Sequence, residues 1–306
     1  MALPALVLAF ALAGFGVALV YRPGAFFDAA TRAVRRAAKL TTRRLRAGDH
    51  EIAYLEGGTG EPLVLLHGFG ASKDHWTLVA MRLNTRFRIL APDVPGFGES
   101  DRRPERCYAI DDQVERLHAF VQRLGLGRIH LGGNSMGGQL AAAYAARYPD
   151  EVKSLWLLAP AGVQTAEPSD LQRLMARGEN PLLVQDAASF ERLLDLCVSR
   201  RSWVPGPILR CLAERAIAER PFNEKIFQDW LANPAWLETR VAGLEIPTLV
   251  SWGAEDRLLH LSGAAILGRL IPGSRVVVLP GTGHVPMVER PHETARHFLE
   301  FQDSLR

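Results

Sequence analysis

An α/β fold, with helices packed on both faces of a mostly parallel sheet, is predicted for this 306-residue chain by three observations. Short apolar runs recur at residues 63–66, 88–91, 129–131, 155–158, 248–252 and 276–279, and each suits a buried parallel strand. Helical patterns separate most of them. Residues 111–124 are the clearest, with Val114, Leu117, Phe120, Val121 and Leu124 on one face. At 48% hydrophobic, the chain can bury one substantial core and still carry an insertion.

Taken in order, residues 1–21 carry no charge. As a helix rising ~1.5 Å per residue, this run covers ~30 Å, the hydrocarbon thickness of a bilayer. A transmembrane anchor is therefore expected over residues 1–22. A cleaved signal peptide would want a basic start and a shorter apolar run. The small-residue pairs Ala9/Ala13 and Gly14/Ala18 would let two such helices approach, so the segment could join two copies in a homodimer.

Residues 23–40 read as a basic amphipathic helix. Arg32, Arg35, Arg36 and Lys39 share one face and Phe27, Val34 and Ala38 another, as expected of a helix lying on anionic head groups. Up to Arg46 there are eight Lys or Arg against Asp28, an excess of +7 in a chain of net +3, so the remainder is −4. Positive charge beside a greasy run and without stacking aromatics argues against nucleic acid. By the positive-inside rule it places the body on the cytoplasmic side, and the periplasmic side stays open.

The sheet-bearing body is expected over residues 41–162 and 244–306. Residues 41–57 alternate like a hairpin at a sheet edge, turning at Gly48-Asp49. Over residues 163–243 the strand signals stop, which is too long for a loop. A helical cap is expected there. Its apolar residues, among them Leu171, Phe190, Trp203, Phe222, Phe227 and Trp230, would pack it onto the body, with a subset lining a substrate pocket.

In such sheets ligands collect beyond the carboxyl ends of the strands, so chemistry is sought on the loops there. Residues 129–148 read I-H-L-G-G-N-S-M-G-G-Q-L-A-A-A-Y-A-A-R-Y, an apolar strand followed by an alanine-rich helix that Pro149 stops. Ser135 therefore sits on a strand-to-helix turn, where Gly133 and Gly137 permit a sharp backbone and the helix start presents free N–H groups. His67-Gly68-Phe69-Gly70 follows an earlier strand. The N–H groups of Phe69 and Met136 are the natural pair to hold an oxyanion, with His67 holding the loop rather than acting as base. Asp256, after the strand ending at Trp252, is the expected acid, with Glu255 its competitor. His284, in Gly281-Thr282-Gly283-His284 after the last strand, is the expected base. Asp256 would orient His284, and His284 would take the Ser135 proton and return it to the leaving group.

Cys107, Cys197 and Cys211 lack metal-type spacing and read as buried thiols, although Cys197 and Cys211 could pair in an oxidising compartment. No spacing suggests a metal, nucleotide or organic cofactor, and serine acyl transfer needs none.

H-G-F-G, D-V-P-G-F-G-E-S at residues 93–100, G-N-S-M-G-G, W-G-A-E-D and G-T-G-H together resemble the α/β-hydrolase superfamily from about Arg43 onward. With the anchor, the elbow helix, A-P-A-G-V-Q and G-H-V-P-M-V-E-R-P, the likeness narrows to membrane-anchored monoacylglycerol lipases and bacterial lysophospholipase or phospholipase A relatives. That resemblance implies an α/β-hydrolase fold and a serine esterase acting on monoacylglycerols, lysophospholipids or glycerophospholipids at a membrane surface. The elbow also resembles carbon–carbon bond hydrolases of ring-cleavage products. From a different class, a ligand-binding or scaffold protein could keep the pocket without turnover.

Overall fold

The computed structural model describes residues 21–306. The expected membrane span and its small-residue pairs lie outside the described residues, among which no helix is long and apolar enough to cross a membrane. Helix α1 (Pro23–Ala37) opens the described chain, with Pro23 at its first turn, where a missing N–H costs nothing. The hairpin β1 (Thr41–Ala47) and β2 (His50–Gly57) follows, turning through Gly48 at φ 57°.

Next come β3 (Glu61–Leu66), α2 (Thr77–Leu83), β4 (Phe87–Pro92), α3 (Ile110–Arg123), β5 (Ile129–Ser135), α4 (Met136–Arg147) and β6 (Val152–Pro160). Four helices then intervene without a strand among them: α5 (Asp170–Met175), α6 (Ala187–Cys197), α7 (Gly206–Ala232) and α8 (Leu237–Val241). The sheet resumes with β7 (Thr248–Gly253), α9 (Ser262–Leu270) and β8 (Arg275–Leu279), and α10 (Pro286–Glu289) and α11 (Pro291–Asp303) close the chain.

The eight strands lie in the order β1-β2-β4-β3-β5-β6-β7-β8. The pairs β1/β2 and β2/β4 are antiparallel and all others parallel, so β3 to β8 send their carboxyl ends to one edge. Side chains alternate through the sheet: Val64 and Leu66 join the core under α3 and α4, while Leu63 and Leu65 join the core with Trp76, Val79 and Phe298 on the other face. The last strand departs from expectation. As an edge strand bonded only to β7, β8 leaves Val276 and Val278 about two-fifths exposed.

Two further expectations are corrected. Arg35 does not share the outward face of α1: its guanidinium bridges both carboxylate oxygens of Asp74, at 2.7 and 2.6 Å, and reaches Glu99 at 3.1 Å. One forked cation thus pins α1 to the body, which a solvated lysine would do less specifically. All three cysteines are free thiols, and none is fully buried: Cys107 is exposed and Cys197 and Cys211 are half-buried. Burial pushes the Cys197 thiol up to about 12, so it stays protonated and unreactive.

Candidate active site

Ser135 ends β5 and caps α4 with φ 57° and ψ −122°. A non-glycine residue keeps that conformation only when its surroundings over-determine it. The strain therefore sits on the serine, not on its glycine neighbours, which are needed for close approach instead. A Cβ on Gly133 would lie 2.1 Å from the Gly137 carbonyl oxygen, and one on Gly137 would lie 2.4 Å from the carbonyl oxygens of Leu66 and His67.

The loops after β7 and β8 bring Asp256 and His284 together. The His284 Nδ1 lies 2.8 Å from Asp256 Oδ2, and both side chains are almost wholly buried. Asp256 Oδ1 accepts the N–H groups of Leu258 and Leu259, each at 2.9 Å, so the carboxylate is clamped on its own loop and cannot swing. With Nδ1–H given to the carboxylate, Nε2 is the nitrogen left for proton transfer. Glu255, the competing acid, points to solvent. The Ser135 hydroxyl is partly accessible and forms no hydrogen bond among the described residues. The elbow and the His284 loop nonetheless touch through a side chain: Asn134 Nδ2 donates to the His284 carbonyl at 3.0 Å and to that of Leu158 at 3.1 Å.

Gly68 lies against the elbow, where a Cβ would sit 3.2 Å from Ser135 Cβ. The next N–H, that of Phe69, has no acceptor among the described residues, and Met136, first residue of α4, has none within its own helix. The Phe69 ring stacks on Trp230 and packs edge-on against Phe97 and Phe227, fixing the loop from above. His67 holds it from below: Nδ1 lies 2.8 Å from the Gly68 carbonyl, while Nε2 accepts the Val94 N–H at 2.9 Å. An accepting Nε2 requires a neutral ring. Burial lowers the His67 pKa in the same sense, so this histidine is a strut and not a base.

Several contributors went unread in the sequence. Glu289, after the His284 loop, accepts the Gly283 N–H at 2.7 Å and the Ser199 N–H at 2.8 Å. The Cys197 carbonyl accepts the His284 N–H at 2.8 Å, and the Ser199 hydroxyl donates to Gly281 at 2.8 Å. The segment following α6 is therefore part of the wall that holds His284. On the other side of the elbow, Gln139 of α4 donates to the carbonyls of Pro234 and Ala235 and accepts Trp230 Nε1–H at 2.9 Å. Beneath the Phe69 loop, the buried Lys73 ammonium meets Asp93 at 2.6 Å and Glu99 at 2.9 Å. Asn134 and Asp93 lay inside motifs that had been singled out, but nothing marked their partners. His284 is 150 positions from Asn134.

A cavity of about 370 Å³ opens beside the Asp256 loop, walled by Leu174, Leu196, Val198, Ser199, Glu255 and Arg257 among others. Ser135 is not part of its wall.

Over residues 61–199 the chain matches the model of a family described as alpha/beta hydrolase fold. It is 36% identical over 267 residues to Lipase 3 of Moraxella sp. (strain TA144), covering 86% of this chain and 84% of that protein. It is 33% identical over 285 residues to monoacylglycerol lipase ABHD6 of Homo sapiens, covering 89% and 85%. Among solved structures, a membrane phospholipase A described as a bacterial virulence factor superposes with a TM-score of 0.91 at 40% identity, over 100% of this chain and 99% of that one. A meta-cleavage product hydrolase from Pseudomonas fluorescens IP01 superposes with a TM-score of 0.76 at 26% identity, over 88% and 99%. The eight-stranded order, the elbow geometry and these likenesses agree, and the chain belongs to the alpha/beta hydrolase fold family.

Proposed function

We propose that the chain is a serine carboxylester hydrolase of the lipase and phospholipase type, cleaving acyl esters of monoacylglycerols, lysophospholipids or glycerophospholipids. In this reading the Ser135 hydroxyl rotates toward His284 Nε2, loses its proton to it and attacks the ester carbonyl carbon. The N–H groups of Phe69 and Met136 receive the oxyanion, and Asp256 stabilises the imidazolium. Collapse expels the alcohol with the proton from His284. Water then attacks the acyl-enzyme by the same steps and releases a fatty acid. A catalytic hydrogen bond that is open in the free enzyme commonly tightens only with substrate present.

The single observation that carries this reading is the 2.8 Å bond between Asp256 and His284 beside a strained elbow serine. Substrate class leans on the relatives, since fold alone fixes no chemistry. Lipase 3 and the monoacylglycerol lipase are 36% and 33% identical to this chain, against 26% for the meta-cleavage product hydrolase, which favours ester over carbon–carbon chemistry. Residues 1–22 would anchor the enzyme, residues 23–40 would lie along the bilayer, and residues 163–243 would cap the site. The anchor would also be where two copies meet, if the protein dimerises in the membrane.

Ser135→Ala tests the proposal. Turnover of monoacylglycerol and of p-nitrophenyl esters should fall by about 10⁴-fold or more, and fluorophosphonate labelling should vanish. Retained turnover with either substrate would overturn the assignment.

A further inference from the structure

We infer that the loop joining α6 to α7 is an interfacial docking surface, with Trp203 at its tip seated among lipid head groups of the bilayer that receives the N-terminal anchor. Residues 200–204, Arg-Arg-Ser-Trp-Val, are exposed without interruption. Trp203 is 86% exposed and Val204 39%. The sequence reads Trp203 as a cap residue that packs on the body or lines the pocket, and in the structure it does not pack on the body. A tryptophan so displayed is costly in water, whereas at a membrane interface its ring is sheltered and its N–H stays wet.

The position of this loop selects the occupant. Helices α1 and α7 pack together: Gly24, in the first turn of α1, lies against Cys211 and Arg215, and Asp28 pairs with Arg215 at 2.8 Å. The first turn of α1 thus lies against the first three turns of α7, so the chains leading into both helices leave from one region of the surface. Tyr21, 78% exposed, stands in that region, directly after the uncharged run of residues 1–20. Arg22 and Arg200 are exposed and have no ion pair among the described residues, while Arg201 is held by Asp195 and Glu191. Two exposed aromatics, two uncompensated cations and the departure point of an apolar run long enough to span make one surface, whose chemical complement is an anionic bilayer.

The loop also links that surface to the chemistry. From the Cys197 carbonyl that holds His284, it passes through Val198, Ser199 and Arg201 in the cavity wall and reaches Trp203 directly afterwards. Seating Trp203 in the head groups would hold the segment that supports His284 close to the bilayer surface, where the lipid ester is presented. The anchor and the choice of lipid as substrate both rest on the proposed function.

The test uses the full chain in vesicles of mixed phosphatidylcholine and phosphatidylglycerol, with and without brominated acyl chains. Emission lost in Trp203→Phe relative to wild type should be quenched by the brominated lipid. Trp203→Ala should hydrolyse monoacylglycerol in the vesicles about tenfold more slowly, while turning over a soluble p-nitrophenyl butyrate at the wild-type rate. An unquenched Trp203 signal, or equal losses on both substrates, would overturn the inference. So would a blue shift that tracks protein concentration without lipid, which would place a second copy on the loop. Quenching needs no turnover, so a quenched Trp203 together with an active Ser135→Ala would sink the hydrolase reading and leave the docking surface standing.

Discussion

Glu289→Gln isolates the bridge between the His284 loop and the segment after α6. Both oxygens of Glu289 are used, one by the Gly283 N–H at 2.7 Å and the other by the Ser199 N–H at 2.8 Å. Glutamine has the same shape but a single acceptor, so one N–H keeps its partner and the other faces an NH₂ donor. Losing one charge-assisted bond costs about 1.5–3 kcal/mol. With an unfolding entropy of about 2.1 cal/mol/K per residue, that is a fall of about 2–5 °C in Tm for a chain of this length.

The functional effect should be larger than the stability effect, because Gly283 immediately precedes His284 and a base displaced by about 1 Å loses about 100-fold in rate. The expected result is a fall of about 10- to 100-fold in kcat on p-nitrophenyl butyrate with KM within about twofold, since the bridge touches no substrate. Calorimetry gives Tm, and steady-state kinetics separate kcat from KM. Glu300→Gln, on α11 and away from the site, serves as the control and should leave kcat unchanged. A lowered Tm with wild-type kcat would refute the claim that the bridge places the histidine and reduce it to a packing contact.

Lys73→Met should cost about 3–5 kcal/mol, or about 5–8 °C, because it strands the wholly buried Asp93 carboxylate with only backbone N–H partners. Adding Asp93→Asn should recover only part of the loss in thermal melts, because it removes the buried charge but sets its NH₂ against one of the two backbone N–H donors, and a Lys73→Met variant as stable as wild type would contradict a charged pair at this site. Stability should also depend on pH through His75, whose pKa burial lowers from 6.5 to about 4 and whose Nδ1 is shielded and unpartnered. Below pH 6.5 the unfolded chain takes up a proton that the folded chain refuses, so stability falls as pH drops from 6.5 toward about 4. His75→Asn should flatten that slope in Tm measured across the window, and an unchanged slope would remove His75 from the account.

Periodicity and turn chemistry alone determine much of this protein. The strands, the elbow at Ser135 and the loops of Asp256 and His284 are local patterns, written in neighbouring residues, and hydrophobic alternation suffices to order them. The same patterns misled where a local rule met a global position. The Val276 and Val278 run reads as buried, yet its place at the sheet edge exposes both. Arg35 reads as one of four outward cations, yet Asp74, far along the chain, draws it inward. The glycines flanking Ser135 read as sources of backbone freedom, whereas carbonyl oxygens of Leu66 and His67 make Gly137 obligatory and that of Gly137 makes Gly133 so.

Only the tertiary structure decided which groups hold the site in place. Asn134 with His284, Glu289 with Ser199 and Gly283, and Gln139 with Trp230 are hydrogen bonds across long stretches of chain. No spacing rule announces them, because each needs two separate segments to be folded against each other before donor and acceptor meet. The placement of Trp203 is of the same kind. Its 86% exposure is a fact of packing that no window of residues contains.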